Sequence, residues 1–359
     1  MILFNASNIS VGGGIQVTLS MLNEIIALNE SISVIYVLPI ELKNSFVENK
    51  NSTYVYSSQS SIIKRNTMLD KLVKRYNVTK VFSVFGPTYW KPKNDIFHLV
   101  GFALPWIVYE DSPIYRRLSF YISLKKRIYN FFRIVAFKRE ATSIWVETED
   151  VKLRLERKIL DKEIHVISNS VSKEFSVSCL PIEMPHKEMN IKYGLFLSHW
   201  YAHKNFEILF ETNFEKFSNV RYIVTLTEND FERIPQRVKD FFINIGPVKP
   251  GQCKKLYEYC DFVVQPSFLE CFSANLVEAM YCGKPLITSN LDFSTKLCQE
   301  TAVYFDPTSP LLYNNALSNL FNKSEQDMNS LKLLMDKRLN TFLSPSDRAR
   351  AVLTILQDN

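Results

Sequence analysis

The 359-residue chain is 46% hydrophobic and 22% charged, with a formal net charge of +6. That balance excludes a disordered or low-complexity chain, and a length about twice that of a usual domain points to two separate cores. No apolar run reaches bilayer length and the first residues lack the basic-then-apolar pattern of an export signal, so the expected setting is cytoplasmic. Six cysteines (Cys179, Cys253, Cys260, Cys271, Cys282 and Cys298) have neither CxxC spacing nor an adjoining histidine set, which argues against a zinc site and a disulfide framework.

In chain order, short apolar runs alternate with segments of helical period, the rhythm of parallel α/β sheets. "MILFNAS" predicts a first strand and "GGIQVTLSMLNEIIAL" the helix that follows it. "SISVIYVL", "VTKVFSVFG" and "NDIFHLVG" predict three more strands, "SIWVETEDVKLRLERKIL" a strand and helix, and "EIHVISNSV" the last strand of the half. "CLPIEMPHKEMN" carries two prolines and little periodicity, which marks it as a linker. The alternation then restarts with "YGLFLSHW", "VRYIVTL", Ile243 to Gly246, "DFVVQPS", "KPLITSN" and "TAVYFDP". Ser344-Pro345-Ser346-Asp347 reads as an N-cap, a first-turn proline and a capping acid for a terminal helix. The expected domains are residues 1–178 and 191–343, both Rossmann-like doubly wound units, joined by a linker at 179–190. The helix of 344–359 is expected to pack back toward the first domain.

One stretch departs from this rhythm. Between Tyr115 and Glu140, eight basic residues and seven aromatics accompany a single acid. Anionic lipid headgroups suit that pattern. Nucleic acid attracts the same charge, and a core helix with a solvated basic edge has the same composition. The expected partner is an anionic membrane surface, met between Arg116 and Arg139, and not nucleic acid.

Ligands of open α/β sheets bind beyond the carboxyl ends of the strands, so candidate residues are sought there. Gly12, Gly13 and Gly14 follow the first strand immediately before a helix, where backbone amides approach a phosphate or sugar closely. The dinucleotide fingerprint fails, because Val17 stands where its third glycine belongs; a plain flexible turn is the other reading. In "SHWYAHKNFEILFE", Lys204 and Asn205 are expected at the start of a helix, suited to a diphosphate but equally to a solvated surface. In "PSFLECFSANLVEAMYCGKPLITSN", a helix is expected after Ser273, ended by Gly283 and Pro285. Glu278 then sits one turn inside with no cationic neighbour at helical spacing, so its carboxylate requires donors from outside its own helix, such as two vicinal ribose hydroxyls.

The run Pro266-Ser267, Glu270, Phe272, Glu278-Ala279-Met280, Gly283, Pro285 and Ser289 resembles the E-x7-E signature of retaining GT-B glycosyltransferases, specifically glycosyltransferase family four of the bacterial O-antigen and capsule type. "HVISNSVSKEF", "HKN" and "GPVKPGQCKKLYEYCDFVVQPS" resemble further segments of that family. The resemblance implies a GT-B fold, with two Rossmann-like domains facing a central cleft. It also implies a metal-independent enzyme with no separate cofactor, which moves a sugar from a nucleotide-diphosphate donor to a glycan acceptor, lipid-linked at the cytoplasmic membrane face. Residue by residue, it gives Glu278 the ribose, and Glu270 with the backbone of Phe272, Ser273 and Ala274 the donor sugar. Lys204 receives the diphosphate together with the amides of Gly13 and Gly14, and Gly246 and Val248 the base. His98, Lys204 and Glu270 are the implied catalytic set, His98 approaching the sugar. His199 stands where the family commonly has arginine, Cys271 and Ser273 where glycines are usual, and Ser170 replaces another glycine. A sugar-nucleotide epimerase on the same fold and an inactive scaffold subunit are the alternatives.

Overall fold

The computed structural model describes residues 1–9, 12–28, 33–58, 61–93, 95–177 and 180–359. The elements of the first half are β1 (Ile2–Asn5), α1 (Gly13–Leu28), β2 (Val34–Pro39), β3 (Thr53–Ser57), α2 (Ile62–Tyr76), β4 (Lys80–Ser83), β5 (Phe97–Gly101), α3 (Pro105–Val108), α4 (Ile114–Arg117), α5 (Phe120–Glu140), β6 (Ser143–Val146), α6 (Glu149–Glu156), β7 (Glu163–Val166) and α7 (Lys173–Val177). Those of the second are β8 (Lys192–Phe196), β9 (Val220–Val224), α8 (Glu228–Phe231), β10 (Phe242–Asn244), α9 (Pro250–Tyr259), β11 (Phe262–Gln265), α10 (Ala274–Tyr281), β12 (Leu286–Ser289), α11 (Asp292–Cys298), β13 (Ala302–Phe305), α12 (Pro310–Phe321), α13 (Glu325–Leu339) and α14 (Pro345–Asp358).

Two units result. The first comprises Met1–Glu110, Ser119–Asn169 and Leu343–Asn359, the second Asp111–Leu118 and Ser170–Phe342. The first unit holds a seven-stranded sheet in the order β3-β2-β1-β4-β5-β6-β7 and the second a six-stranded sheet in the order β10-β9-β8-β11-β12-β13. Every strand pair is parallel. Parallel strands covered by helices on both faces are apolar throughout, and β2, "VIYVLP", is buried at every position. In each sheet the order reverses once, between β1 and β4 and between β8 and β11, and such a reversal opens a crevice at the strands' carboxyl ends.

The strand "TYVYS", β3, was not among the predicted elements. It is an edge strand with four of its five residues only partly buried, so it lacks the apolar density that marks the central strands. The described part of the expected linker, 180–190, belongs to the second unit, and so do residues 170–177, which were expected in the first domain. Phe175 packs edge-on against Tyr257 of α9 at 5.7 Å. Lys254 Nζ donates to Ser176 O at 2.9 Å, and Leu180 N donates to Gly251 O at 2.9 Å. Cys179, like Ser10 and Val11, lies outside the described residues.

The terminal helix α14 belongs to the first unit. Ser344 caps it, accepting from Asp347 N at 3.1 Å, and Pro345 opens its first turn. Ala349, Val352 and Leu356 join Met21, Leu22 and Ile25 of α1 in one apolar cluster. Arg348, on the same buried side, donates to Asn169 Oδ1 at 2.6 Å and pairs with Glu147 Oε1 at 3.2 Å.

Candidate nucleotide-sugar site

In the second unit, the residues singled out from sequence sit on loops beyond the carboxyl ends of parallel strands. The loop after β8 carries His199 and Lys204, and the loop after β11 carries Glu270. These two loops flank the point where the strand order reverses. They are joined directly: Phe268 N donates to His203 O at 2.7 Å, and Lys204 Nζ reaches Glu270 Oε1 at 2.6 Å. The lysine and glutamate side chains are only 16% and 12% exposed, so this is a sheltered pair and not a loose surface contact. The same carboxylate oxygen accepts from Ser267 Oγ at 2.9 Å and from Gln265 Nε2 at 3.0 Å. Three donors on one oxygen fix the glutamate's orientation.

The expected helix beginning at Lys204 is absent. The segment forms two 3-10 turns, Ala202–Lys204 and Phe206–Glu211, separated by Asn205 in the left-handed region at φ 54°. Asparagine tolerates that conformation. Lys204 N is already bonded to Tyr201 O at 2.8 Å and Asn205 N to Ala202 O at 3.4 Å, so these two amides are not free for a phosphate. The lysine contributes its ammonium alone. Asn205 is fully buried and structural: its Nδ2 donates to Pro307 O at 2.9 Å and its Oδ1 accepts from Arg117 Nη1 at 2.8 Å. The Arg117 guanidinium lies 4.5 Å from the Phe268 ring centroid. This places a second cation, 87 positions from Lys204 in the chain, beside the loop. His199 is exposed, its ring 5.7 Å from that of Tyr201.

Helix α10 begins at Ala274 after Ser273, whose hydroxyl does not cap it, and Phe272 precedes them in the same loop. Gly283, at φ 61°, ends it in the conformation that glycine adopts most readily. Glu278 lies on this helix between the buried Val277 and Ala279. It is not without a partner, as its helical neighbours alone suggested. Tyr257, from α9, donates its hydroxyl to Glu278 Oε2 at 2.9 Å. Burial lifts the Glu278 carboxyl to about 7, and the tyrosine hydrogen bond offsets part of that rise. Partial exposure of the residue leaves it open to further donors. Tyr257 was missed because it lies 21 positions from Glu278 and only packing of α9 on α10 brings them together. Gly246 and Val248 follow β10; Gly246 N donates to Asn244 Oδ1 at 3.2 Å, with φ at 78°, in the left-handed region that favours glycine.

In the first unit, α1 starts at Gly13, and a Cβ on Gly14 would lie 3.1 Å from Ile9. The first two amides of α1 are those of Gly13 and Gly14, and Ile15 N donates to Gly12 O at 3.1 Å. His98 requires correction. It is 0% exposed, and both ring nitrogens are occupied. Nδ1 lies 2.9 Å from Glu140 O, a carbonyl that only accepts, so Nδ1 carries the proton and Nε2 accepts from Ser83 Oγ at 2.8 Å. Burial holds its pKa down, to about 4, despite that carbonyl. A neutral, saturated core imidazole has no face to offer a sugar. Among the described residues, no group of three or more His, Cys, Asp or Glu side chains is placed to hold a metal ion.

The family model described as Glycosyl transferases group 1 matches residues 236–331, the part of the second unit that contains Gly246, Glu270 and Glu278. Across the full length, sucrose-phosphate synthase from Thermosynechococcus elongatus superimposes with a TM-score of 0.72 at 12% identity, covering 99% of this chain and 98% of that one. The Anabaena protein Alr3699/HepE, solved in complex with UDP and glucose, gives 0.71 at 12% identity over 100% and 99% of the two chains. WaaG, a glycosyltransferase involved in lipopolysaccharide biosynthesis, gives 0.71 at 12% identity over 100% of both. The fold is that of the GT-B glycosyltransferases. Comparison with curated protein sequences returns no match. Within the GT-B architecture, the second unit is the one that carries the matched segment.

Proposed function

We propose that this protein is a retaining, metal-independent glycosyltransferase of the family-four type. In this reading it moves a sugar from a nucleoside diphosphate to a hydroxyl of a glycan acceptor, lipid-linked, in the building of a bacterial surface polysaccharide in the cytoplasm. The observation that carries the reading is the meeting of Lys204 and Glu270 across the strand-order reversal of the second unit, with Glu278 on the helix that follows. Glu278 would accept hydrogen bonds from the two ribose hydroxyls, and Gly246 and Val248 would lie along the base. Lys204 would face the diphosphate, with His199 nearby, and Glu270 with the backbone of Phe272, Ser273 and Ala274 would face the sugar. The amides of Gly13 and Gly14 are assigned to the diphosphate as well, on the resemblance alone.

Chemically, the bond between the anomeric carbon and the diphosphate oxygen breaks while the acceptor oxygen bonds to that carbon from the same face. The acceptor proton passes to a phosphate oxygen of the departing diphosphate. Negative charge grows on the leaving group, and an ammonium fixed in place stabilises it more in the transition state than in the ground state. Lys204 is the group so placed. Incubating the protein with UDP-sugars and GDP-sugars and with lipid-linked glycans tests this. Transfer to the acceptor with the anomeric configuration retained is the expected result. Interconversion of the sugar nucleotide without an acceptor would establish an epimerase instead, and nucleotide binding with neither reaction a scaffold subunit.

Two consequences concern Glu278. Only the ionised carboxylate accepts from both ribose hydroxyls, and its carboxyl is raised to about 7. Donor affinity should therefore increase as the pH rises from 6 to 8 and weaken by up to about tenfold per pH unit below 7, as read by titration calorimetry. A Glu278→Gln protein should lose that pH dependence along with most of the affinity. Tyr257→Phe removes the hydrogen bond that holds the carboxyl down. The midpoint of the same pH profile should move upward, with a loss of about 1 kcal/mol in donor affinity at pH 7. An unmoved midpoint would show that the hydroxyl contact to Glu278 carries no weight.

A further inference from the structure

Helix α5 turns its apolar residues the wrong way for a core element. Tyr121, Leu124, Ile128, Phe131, Phe132 and Val135 recur at helical spacing and fall within an arc of roughly 100° on one side. All six are between 45% and 73% exposed. The opposite side fixes the helix to its unit. Asn130 Nδ2 donates to Trp106 O at 2.8 Å, and Phe137 packs against Phe102 at 5.3 Å. At the helix end, the buried Glu140 carboxylate accepts from Thr88 N at 2.8 Å and Trp90 N at 3.2 Å. The rotation of α5 is set by these contacts, so the apolar stripe faces solvent.

Charge identifies what covers it. Lys125, Arg127, Lys138 and Arg139 are exposed beside the stripe, while the single acid of the helix, Glu140, is buried and turned inward. We infer that α5 lies in the plane of an anionic bilayer surface, its aromatic and aliphatic stripe at the boundary between headgroups and acyl chains and its basic side chains at lipid phosphates. A second copy of the chain would set one basic helix against another, and nucleic acid would leave the stripe wet. The helix rests on the membrane and does not cross it, since no helix among the described residues is long and apolar enough to span one. This inference is independent of the sugar-transfer reading.

Co-sedimentation of the full chain with vesicles tests it, using phosphatidylcholine alone and phosphatidylcholine mixed with phosphatidylglycerol. The protein should pellet with the mixed vesicles at low salt, much less with phosphatidylcholine alone, and less again when salt is raised. A protein carrying Ile128→Glu and Phe132→Glu, and another carrying Lys125→Glu and Arg139→Glu, should each bind at least about tenfold more weakly. Both should keep the parental melting temperature, because all four side chains are outside the core. No retention on the mixed vesicles, or retention equal in parent and variants, would overturn the inference. So would a concentration-dependent dimer in sedimentation velocity that the Ile128→Glu, Phe132→Glu protein loses while the parent ignores vesicles.

Discussion

A Lys204→Met protein is expected to lose about 10²–10³-fold in kcat for sugar transfer, with a much smaller change in KM. The expectation follows from where the ammonium is held. Lys204 Nζ is 2.6 Å from Glu270 Oε1 and largely shielded from water, so it is positioned before any ligand arrives. A departing diphosphate gains charge along the reaction, and its demand on the ammonium grows as the bond breaks. Loss of the lysine is therefore felt in the chemical step more than in binding. Glu270 keeps the hydrogen bonds from Ser267 and Gln265 when Lys204 is removed, so the loop retains its shape. This separates a chemical defect from a folding defect: the variant should melt close to the parent and still bind donor. Glu270→Gln is the companion measurement. It frees the ammonium from its carboxylate partner while keeping the side chain's size, and a deep loss of turnover there would place the carboxylate itself against the sugar. Steady-state kinetics giving a Lys204→Met kcat within threefold of the parent would end the assignment of Lys204 to the leaving group.

Arg348→Met should destabilise the first unit by up to about 3–5 kcal/mol at pH 8, where Glu147 is ionised in the parent, read from urea unfolding of the full chain. Arg348 and Glu147 are 2% and 6% exposed and pair at 3.2 Å, with Asn169 as a further acceptor for the guanidinium. Removing the cation strands a buried carboxylate. Burial has already raised the Glu147 carboxyl to about 7 although Arg348 pulls it down, so without the arginine it rises further. The sign of the pH effect follows. In the folded state, a raised carboxyl pKa favours the protonated form, so this group's stabilising share is complete below its unfolded pKa and is lost as the pH climbs through the folded value. The variant should be closer to the parent at pH 5.5, where Glu147 is neutral, than at pH 8. Replacing both residues, as Glu147→Leu with Arg348→Met, should recover most of the loss, since an apolar pair of similar volume needs no compensation for buried charge. A variant as stable as the parent at pH 8 would mean that water reaches this pair.

The strand-helix alternation was legible because parallel strands covered on both faces must be apolar throughout, and that leaves a local signature. "GGIQVTLSMLNEIIAL" coincides with α1, Gly13–Leu28, for the same reason. The capping run at Ser344 was equally local, as was the concentration of base and aromatic residues between Tyr115 and Glu140. Edge strand β3 left no such mark, and the described residues 180–190 looked like a linker because such contacts to α9 as Leu180 N to Gly251 O and Gln252 Nε2 to Pro181 O run through their backbone.

Sequence alone determined the fold class, the candidate carboxylates Glu270 and Glu278, the candidate cation Lys204 and the unusual charge of the α5 segment, because each is carried by residue type and short-range spacing. Only the tertiary structure decided their partners. It joined Lys204 to Glu270 across 66 positions and gave Glu278 the Tyr257 hydroxyl from a neighbouring helix. It sealed His98 inside the first unit and turned the aromatic stripe of α5 outward. The physical reason is common to all four: burial and hydrogen-bond geometry depend on which elements pack together, and a residue's near neighbours in the chain do not fix that.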